Sequence, residues 1–153
     1  MDRIVTNPKA RHDYHIVETV EAGIVLRGTE VKALREKRAS LREAWAEVRN
    51  GEVWLRNARI EEYKPGGWTN HAPQGDRKLL LHKHQIHRLQ SLTAAKGHTL
   101  VPLSMYWKNG RVKVELAVAR GKSQVDRREE IKRRESELEL RRALARKDHR
   151  PRT

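Results

Sequence analysis

The chain has no cysteine and no long apolar run. Because none of its 153 residues is cysteine, disulfide bridges, cysteine-based zinc sites and thiol catalysis are excluded. No stretch approaches the roughly 20 apolar residues that a membrane-spanning helix needs. Residues 1–10 are polar and lack the apolar segment of a secretory signal. We therefore expect a protein of the cytoplasm that does not enter a membrane.

Acidic residues are too few to balance the basic ones. Lysine and arginine number 34, aspartate and glutamate number 20, and the formal net charge is +14. Such an excess predicts attraction to a polyanion, most often nucleic acid. The length suits one domain with a modest core, since single domains peak at about 100–150 residues.

The positive charge is densest at the C-terminal end. Residues 120–153 carry 13 basic and 7 acidic residues, a net of +6, and residues 1–119 carry a net of +8. Large aliphatic residues are scarce there, and Ile131 and Leu138 form too narrow a stripe to anchor a helix on a core. We predict a boundary between a folded domain, 1–120, and a basic arm, 121–153. The arm should be disordered alone and helical when a partner supplies the packing; a solvated tail without a specific partner is the alternative.

The body of the chain has the pattern of a small β-domain. Two pairs of alternating strands are joined by Asn50-Gly51 and Asn109-Gly110, dipeptides that favour type I′ hairpin turns. A short helix is predicted after Thr29, and a second one over "HKHQIHRLQSLTAAKG" that ends at Gly97. Six or seven short strands with two helices predict a mainly β fold, a small OB-like antiparallel barrel without exposed edges.

Five sequence motifs resemble the SsrA-binding protein family. They are Ala10–Tyr14, "EAGIVLRGTEVKALR" (21–35), "RKLLLH" (77–82), "GHTLVPLSMYWKNGRVKVELAVARGK" (97–122) and "DRREEIKRRE" (126–135). They occur in the family's order and cover most of residues 10–135. The resemblance therefore supports the RNA-binding interpretation of the charge.

The resemblance implies a ribosome-rescue factor. Such proteins bind the transfer-RNA-like domain of transfer-messenger RNA and take it to ribosomes stalled on truncated messages. The implied partners are that RNA, elongation factor Tu on the same RNA, and the decoding centre and message channel of the ribosome. The arm would enter the empty message channel, whose phosphate walls suit lysine and arginine on several helix faces. A monomer without cofactor is implied.

The resemblance also implies RNA-contacting positions in the barrel: Glu21, Ala22, Gly23, Leu80 and Lys113. Leu80 has leucine on both sides, and neighbours in a strand face opposite ways, so one side of the triplet must lie outside the core. Lys113 alternates with the apolar face of its hairpin and should point outward.

In the arm, the resemblance implies ribosome contacts at six positions: Lys122, Asp126, Arg127, Arg128, Lys132 and Arg133. The chain departs from the family at Ser123, where one cation is lost, and at Val125, where relatives often carry histidine or tyrosine. Stacking of Val125 on a ribosomal base is therefore not expected.

Two other functions are compatible with parts of the sequence. A metal-dependent nuclease could use His82, His84 and His87, but that run contains no acidic ligand. The sequence Arg11-His12-Asp13 could pair a base with its orienting group, but adjacent residues on a strand point to opposite faces. No glycine-rich phosphate loop or nucleophile motif is found, so a non-catalytic protein is expected. A general RNA chaperone or ribosomal protein would share the charge and the barrel.

Overall fold

The computed structural model describes residues 2–65, 70–122 and 124–148, with the side chains of all of these except 124–130 and 146–148. The elements are β1 (Asp2–Thr6), α1 (Pro8–Asp13), β2 (Tyr14–Ile24), α2 (Gly28–Arg35), β3 (Ala39–Ser40), β4 (Trp45–Arg49), β5 (Glu52–Arg56), β6 (Arg59–Ile60), β7 (Arg77–Leu80), α3 (Lys83–Thr93), β8 (His98–Lys108), β9 (Arg111–Gly121) and α4 (Gln124–Asp148). The chain divides into two units, one ending at Gly121 and one beginning at Lys122.

The first unit is a single antiparallel sheet that closes on itself. Its strand order is β1-β8-β4-β5-β7-β2-β9, and β9 pairs in turn with β8. Six strands therefore form a closed ring, and β1 pairs with residues 104–107 of β8, away from the pairing of β8 with β4 at Leu100. The small strands β3 and β6 pair separately. The prediction of a mainly β fold with short helices is confirmed.

Both predicted hairpins are present, with the turn geometry that their sequences favour. Asn50 and Gly51 have φ values of 52° and 74°, and Asn109 and Gly110 have the same pair of values. Two consecutive residues with positive φ are the signature of a type I′ turn, whose twist matches that of the flanking strands. These turns set the register of β4 with β5 and of β8 with β9.

The core lies inside the ring and is built from alternate strand residues. On β9, Val112, Val114, Leu116 and Val118 are all buried and belong to the main apolar cluster, as the alternation predicts. Ala117 and Ala119 face the other way and are also buried, in a second cluster that includes Ala10 of α1. The helix α1 therefore covers an outer part of the sheet.

The structure differs from the sequence expectations at the N-terminal end and after α3. Neither β1 nor α1 was predicted, because the first ten residues are mostly polar. The segment Arg11–Asp13 lies on α1 and not on a strand, and His12 Nδ1 is 3.0 Å from Asp13 Oδ1. The prediction that His12 and Asp13 point to opposite faces of a strand was therefore wrong. Their contact is exposed to solvent. The helix α3 ends at Thr93, and Gly97, with φ of 80°, lies in the turn before β8.

The second unit differs from the expectation of disorder. Residues Gln124–Asp148 form the helix α4. The described side chains of this helix, residues 131–145, are all exposed, including Ile131, Leu138, Leu140 and Leu144. None of the helices in the described part of the chain has the length and apolarity needed to cross a bilayer.

Candidate nucleic-acid interface

A row of directly paired residues crosses the outer face of the barrel. Gly23 on β2 pairs with Leu80 on β7 on one side and with Lys113 on β9 on the other. Lys113 is paired in turn with Tyr106 on β8, and Tyr106 with Arg3 on β1. Cross-strand partners lie on the same face of a sheet. Five strands thus bring together residues that are distant in sequence.

The leucine triplet shows why Leu80 belongs to this face. Leu79 is 1% exposed and packs in the core, whereas Leu80 is 51% exposed. The strand alternation predicted this split. Gly23 lies directly beneath Leu80, and a Cβ atom at position 23 would lie 3.2 Å from Leu80 Cβ. The close approach of Leu80, and not an unusual φ, favours glycine here, because a larger residue would force Leu80 to move by a few tenths of an ångström.

These residues line a shallow groove of about 430 Å³, which we call the Leu80 groove. Its lining comprises Glu21, Gly23, Leu80, Leu81, His82, Gln85 and Lys113. The groove combines an apolar patch at Leu80 with a cation at Lys113. A flat base or ribose fits the first and a phosphate the second, so the groove has the chemistry of a nucleic-acid site.

The carboxylate of Glu21 is held by two side chains of β8. Tyr106 donates its hydroxyl to Glu21 Oε2 at 2.5 Å, and Lys108 Nζ lies 3.2 Å from the same oxygen. The hydrogen bond from Tyr106 lowers the pKa of Glu21, and the charges of Lys108 and Lys113 lower it further. Burial and the contact with Glu21 raise the pKa of Tyr106. The side chain of Glu21 is therefore ionised and held in place by Tyr106 and Lys108. Tyr106 and Lys108 are accordingly part of the candidate site.

Sequence reasoning did not identify Tyr106 or Lys108. Tyr106 lies 85 positions from Glu21, and only the β8–β9 and β9–β2 registers bring them together. The signal that could have found Tyr106 is its place opposite Lys113 in a hairpin centred on Asn109-Gly110.

Ala22 differs from the other four implied positions. Its side chain is fully buried in the main core, and its backbone pairs with Val114. The side chain of Ala22 therefore cannot contact RNA in this structure. Its role is to fill the core beneath Glu21 and Gly23.

The implied ribosome contacts lie at the start of the second unit. Lys122 is mostly buried, with 9% of its surface exposed. Lys132 and Arg133 lie on α4 and are exposed. The backbone of Asp126, Arg127 and Arg128 belongs to the first two turns of α4, but their side chains lie outside the described ones.

The histidine run does not form a metal centre in the described part of the chain. His82 precedes the first residue of α3, and its ring stacks on that of His84 with centroids 5.7 Å apart. His87 is exposed on the same helix. Among the residues described, no group of three or more histidine, aspartate or glutamate side chains is placed to hold an ion.

A buried ion pair supports the start of β7. Arg77 and Glu30 of α2 are 4% and 5% exposed and form a salt bridge. The other guanidinium N–H groups of Arg77 donate to four backbone carbonyls, those of Ala58, Ala72, Pro73 and Gly75. The second oxygen of Glu30 accepts from the N–H of Arg27 at 2.8 Å. This arrangement joins β7, α2 and the loop before β7.

His71 secures the same loop to α2. Its Nδ1 lies 2.9 Å from the hydroxyl of Thr29, and its Nε2 lies 2.9 Å from the carbonyl oxygen of Ile60. Because the carbonyl can only accept, Nε2 carries a proton. His71 thus fixes residues 70–76, the part of the chain that leads into β7, to α2 and β6.

The chain matches known proteins along most of its length. The family model described as "SmpB protein" matches residues 4–146. An SsrA-binding protein of Thermobifida fusca is 57% identical over 144 residues, which cover 94% of this chain and 90% of the relative. An SsrA-binding protein of Acidothermus cellulolyticus is 56% identical, with 94% and 91% covered.

A solved structure is also similar. It is reported as "tmRNA-SmpB: a journey to the center of the bacterial ribosome" and is 44% identical, with a TM-score of 0.67 over 83% of this chain and 93% of that chain. The match of the family model over nearly the whole chain, with relatives above half identity, leads to one conclusion: the chain belongs to the SmpB protein family.

Proposed function

We propose that this chain binds transfer-messenger RNA, the SsrA RNA of its relatives' name, and acts with it in the rescue of stalled ribosomes by trans-translation. The observation that carries this proposal is the Leu80 groove. Four implied RNA-contacting residues, separated by up to 92 positions, line one groove on the barrel: Glu21, Gly23, Leu80 and Lys113. The names of the relatives and of the similar structure support the same RNA and the ribosome as partners.

The barrel is the part that holds the RNA. We infer that the closed ring of six strands is of the OB type, a scaffold that presents strand faces to nucleic acid. With the transfer-RNA-like domain bound, it would stand in for a complete transfer RNA beside elongation factor Tu. The chain acts by binding and not by catalysis, as a monomer, and in the cytoplasm, where ribosomes work.

The helix α4 is the part that we assign to the empty message channel. Its described side chains, residues 131–145, are all exposed, and most helical stability in proteins comes from packing of an apolar face. Phosphates of ribosomal RNA would supply the missing contacts to Lys132 and Arg133. We therefore propose that α4 frays in the free protein and becomes fully protected on the ribosome, with Asp126, Arg127 and Arg128 near the decoding centre.

Replacement of Lys113 tests the groove. Lys113→Ala should weaken binding to the transfer-RNA-like domain about fivefold near 0.15 M salt and reduce the slope of log K against log salt by about one unit. Filter binding or fluorescence anisotropy over a salt series measures both. Lys96→Ala is the matched control, because Lys96 is an exposed lysine in the turn between α3 and β8 and does not line the groove. Equal effects of the two variants would contradict a specific role for Lys113.

Glu21→Ala separates specific recognition from bulk charge in the same assay. The variant is more positive than the parent, so simple electrostatics predicts tighter binding. We expect weaker binding, because Tyr106 and Lys108 lose the acceptor that holds them beside the groove. Tighter binding by Glu21→Ala would show that net charge, and not the arrangement of side chains, controls the affinity.

A further inference from the structure

A second groove of about 440 Å³ lies on the outer face of the barrel. We call it the Trp54 groove; its walls include Val25, Arg27, Trp54 and Lys78, with Arg77 also contributing. It combines an aromatic ring with two basic side chains. That combination is the one by which proteins hold unpaired nucleotides.

The strand register explains why Trp54 faces this groove. Val53 and Leu55 are fully buried, so Trp54 between them must point to the outer face. Trp54 is paired with Lys78 across the β5–β7 ladder. Val25, half exposed, bonds its N–H to the carbonyl of Lys78 at 2.9 Å. An apolar surface therefore flanks the ammonium group of Lys78.

Lys78 of the Trp54 groove and Leu80 of the Leu80 groove both lie on β7. Lys78 and Leu80 are two positions apart, and the buried Leu79 lies between them. Side chains at this spacing share a face and lie about 7 Å apart. An RNA strand that contacts Leu80 and Lys113 can therefore also contact Lys78 and Trp54 on the same face of the sheet.

The lining of the Trp54 groove has three basic and two acidic side chains, a net charge of +1. Glu30 and Arg77 neutralise each other beneath it. Arg56 is shared by Asp76 at 2.5 Å and Glu47 at 2.6 Å, so these three side chains together carry one net negative charge. Arg27 and Lys78 remain as exposed or half-exposed cations, and Lys78 has only a 3.6 Å contact with Glu52 at the surface. A phosphate can compete with such an exposed pair.

We propose that an unpaired nucleotide of the RNA held in the Leu80 groove stacks its base on Trp54 and places its phosphate against Lys78 and Arg27. This inference rests on the proposed function and extends it by a second subsite. The support of β7 by Arg77 and of its loop by His71 holds the subsite in place before binding. The subsite adds affinity for RNA that has a single-stranded segment beside its folded part.

Binding of a transfer-RNA-like domain transcript to the full-length protein tests the subsite. Trp54→Ala should weaken binding about tenfold, because stacking on an aromatic side chain contributes roughly that factor per base. The salt slope should stay unchanged, since stacking releases no counterions, whereas Lys78→Ala should reduce the slope by about one unit. Trp54→Phe should retain most of the affinity and Trp54→Leu should not. These two variants keep an apolar side chain in place and so separate stacking from folding.

Trp45→Ala is the matched control, because Trp45 is also exposed but lines neither groove. It should bind like the parent. Parent-like binding by Trp54→Ala, or equal binding by the Phe and Leu variants, would overturn the subsite. If Lys113→Ala and Leu80→Ala still weaken binding in that case, only the subsite is wrong. If they also bind like the parent, the proposed function itself fails.

Discussion

Truncation after Gly121 is expected to abolish ribosome rescue while the barrel stays folded and still binds RNA. Both apolar clusters of the first unit are built from residues 4–119, so the loss of residues 122–153 removes none of them. The removed segment carries 12 basic and 7 acidic residues, a net charge of +5. RNA affinity should therefore fall only at low salt, where this charge is weakly screened. Peptide tagging and release on stalled ribosomes, measured in a reconstituted translation system, should drop to background.

A control must separate the sequence of the arm from its charge. A chain in which residues 122–153 are reordered keeps the composition and the net charge of +5. We expect it to restore RNA binding at low salt but not rescue. Rescue at the full rate by the truncated or the reordered chain would contradict the assignment of α4 to the message channel.

Arg77→Ala is expected to lower the free energy of unfolding by about 3–5 kcal/mol, because it leaves the carboxylate of Glu30 buried without its partner. The substitution also removes the donors to the carbonyls of the loop before β7. Denaturant titration followed by circular dichroism measures the loss. Arg88→Ala is the control, since Arg88 pairs with Glu18 but its side chain is 63% exposed. It should have a much smaller effect.

The double variant Glu30→Gln with Arg77→Met refines this test. It removes both charges, so no uncompensated charge stays buried, and it should be less destabilising than Arg77→Ala alone. If Arg77→Ala costs no more stability than Arg88→Ala, the buried pair does not support β7 as described.

The parts of the fold that the sequence predicts are those with strong local signals. Asn-Gly turns between alternating segments identify both hairpins, and the alternation on β9 identifies its buried face. The strand β1 gives no such signal, because only Ile4 of its five residues is buried. The helix α4 was expected only with a partner, because its apolar stripe is narrow; charged residues at helical spacing give it local support.

In the candidate site, too, only the features with a local sequence signal could be predicted. Alternation predicts that Lys113 faces outward and that one side of the triplet Leu79–Leu81 lies outside the core; the structure shows that this side is Leu80, which lies beside Gly23. Arg77 and Tyr106 were not identified. Charged residues are usually exposed, and nothing near Arg77 in sequence reveals that Glu30, 47 positions away, is its partner. Contacts of this kind depend on the register of the closed ring, which local patterns do not encode.

The most direct test of the account is to sequence the RNA that copurifies from lysates of the native cells with this chain, and with its double variant Leu80→Ala with Lys113→Ala. The account predicts one dominant transfer-RNA-like species with the parent and its depletion from the double variant, because both residues line the Leu80 groove. A mixture of ribosomal and messenger fragments without a dominant species, retained equally by both proteins, would contradict it.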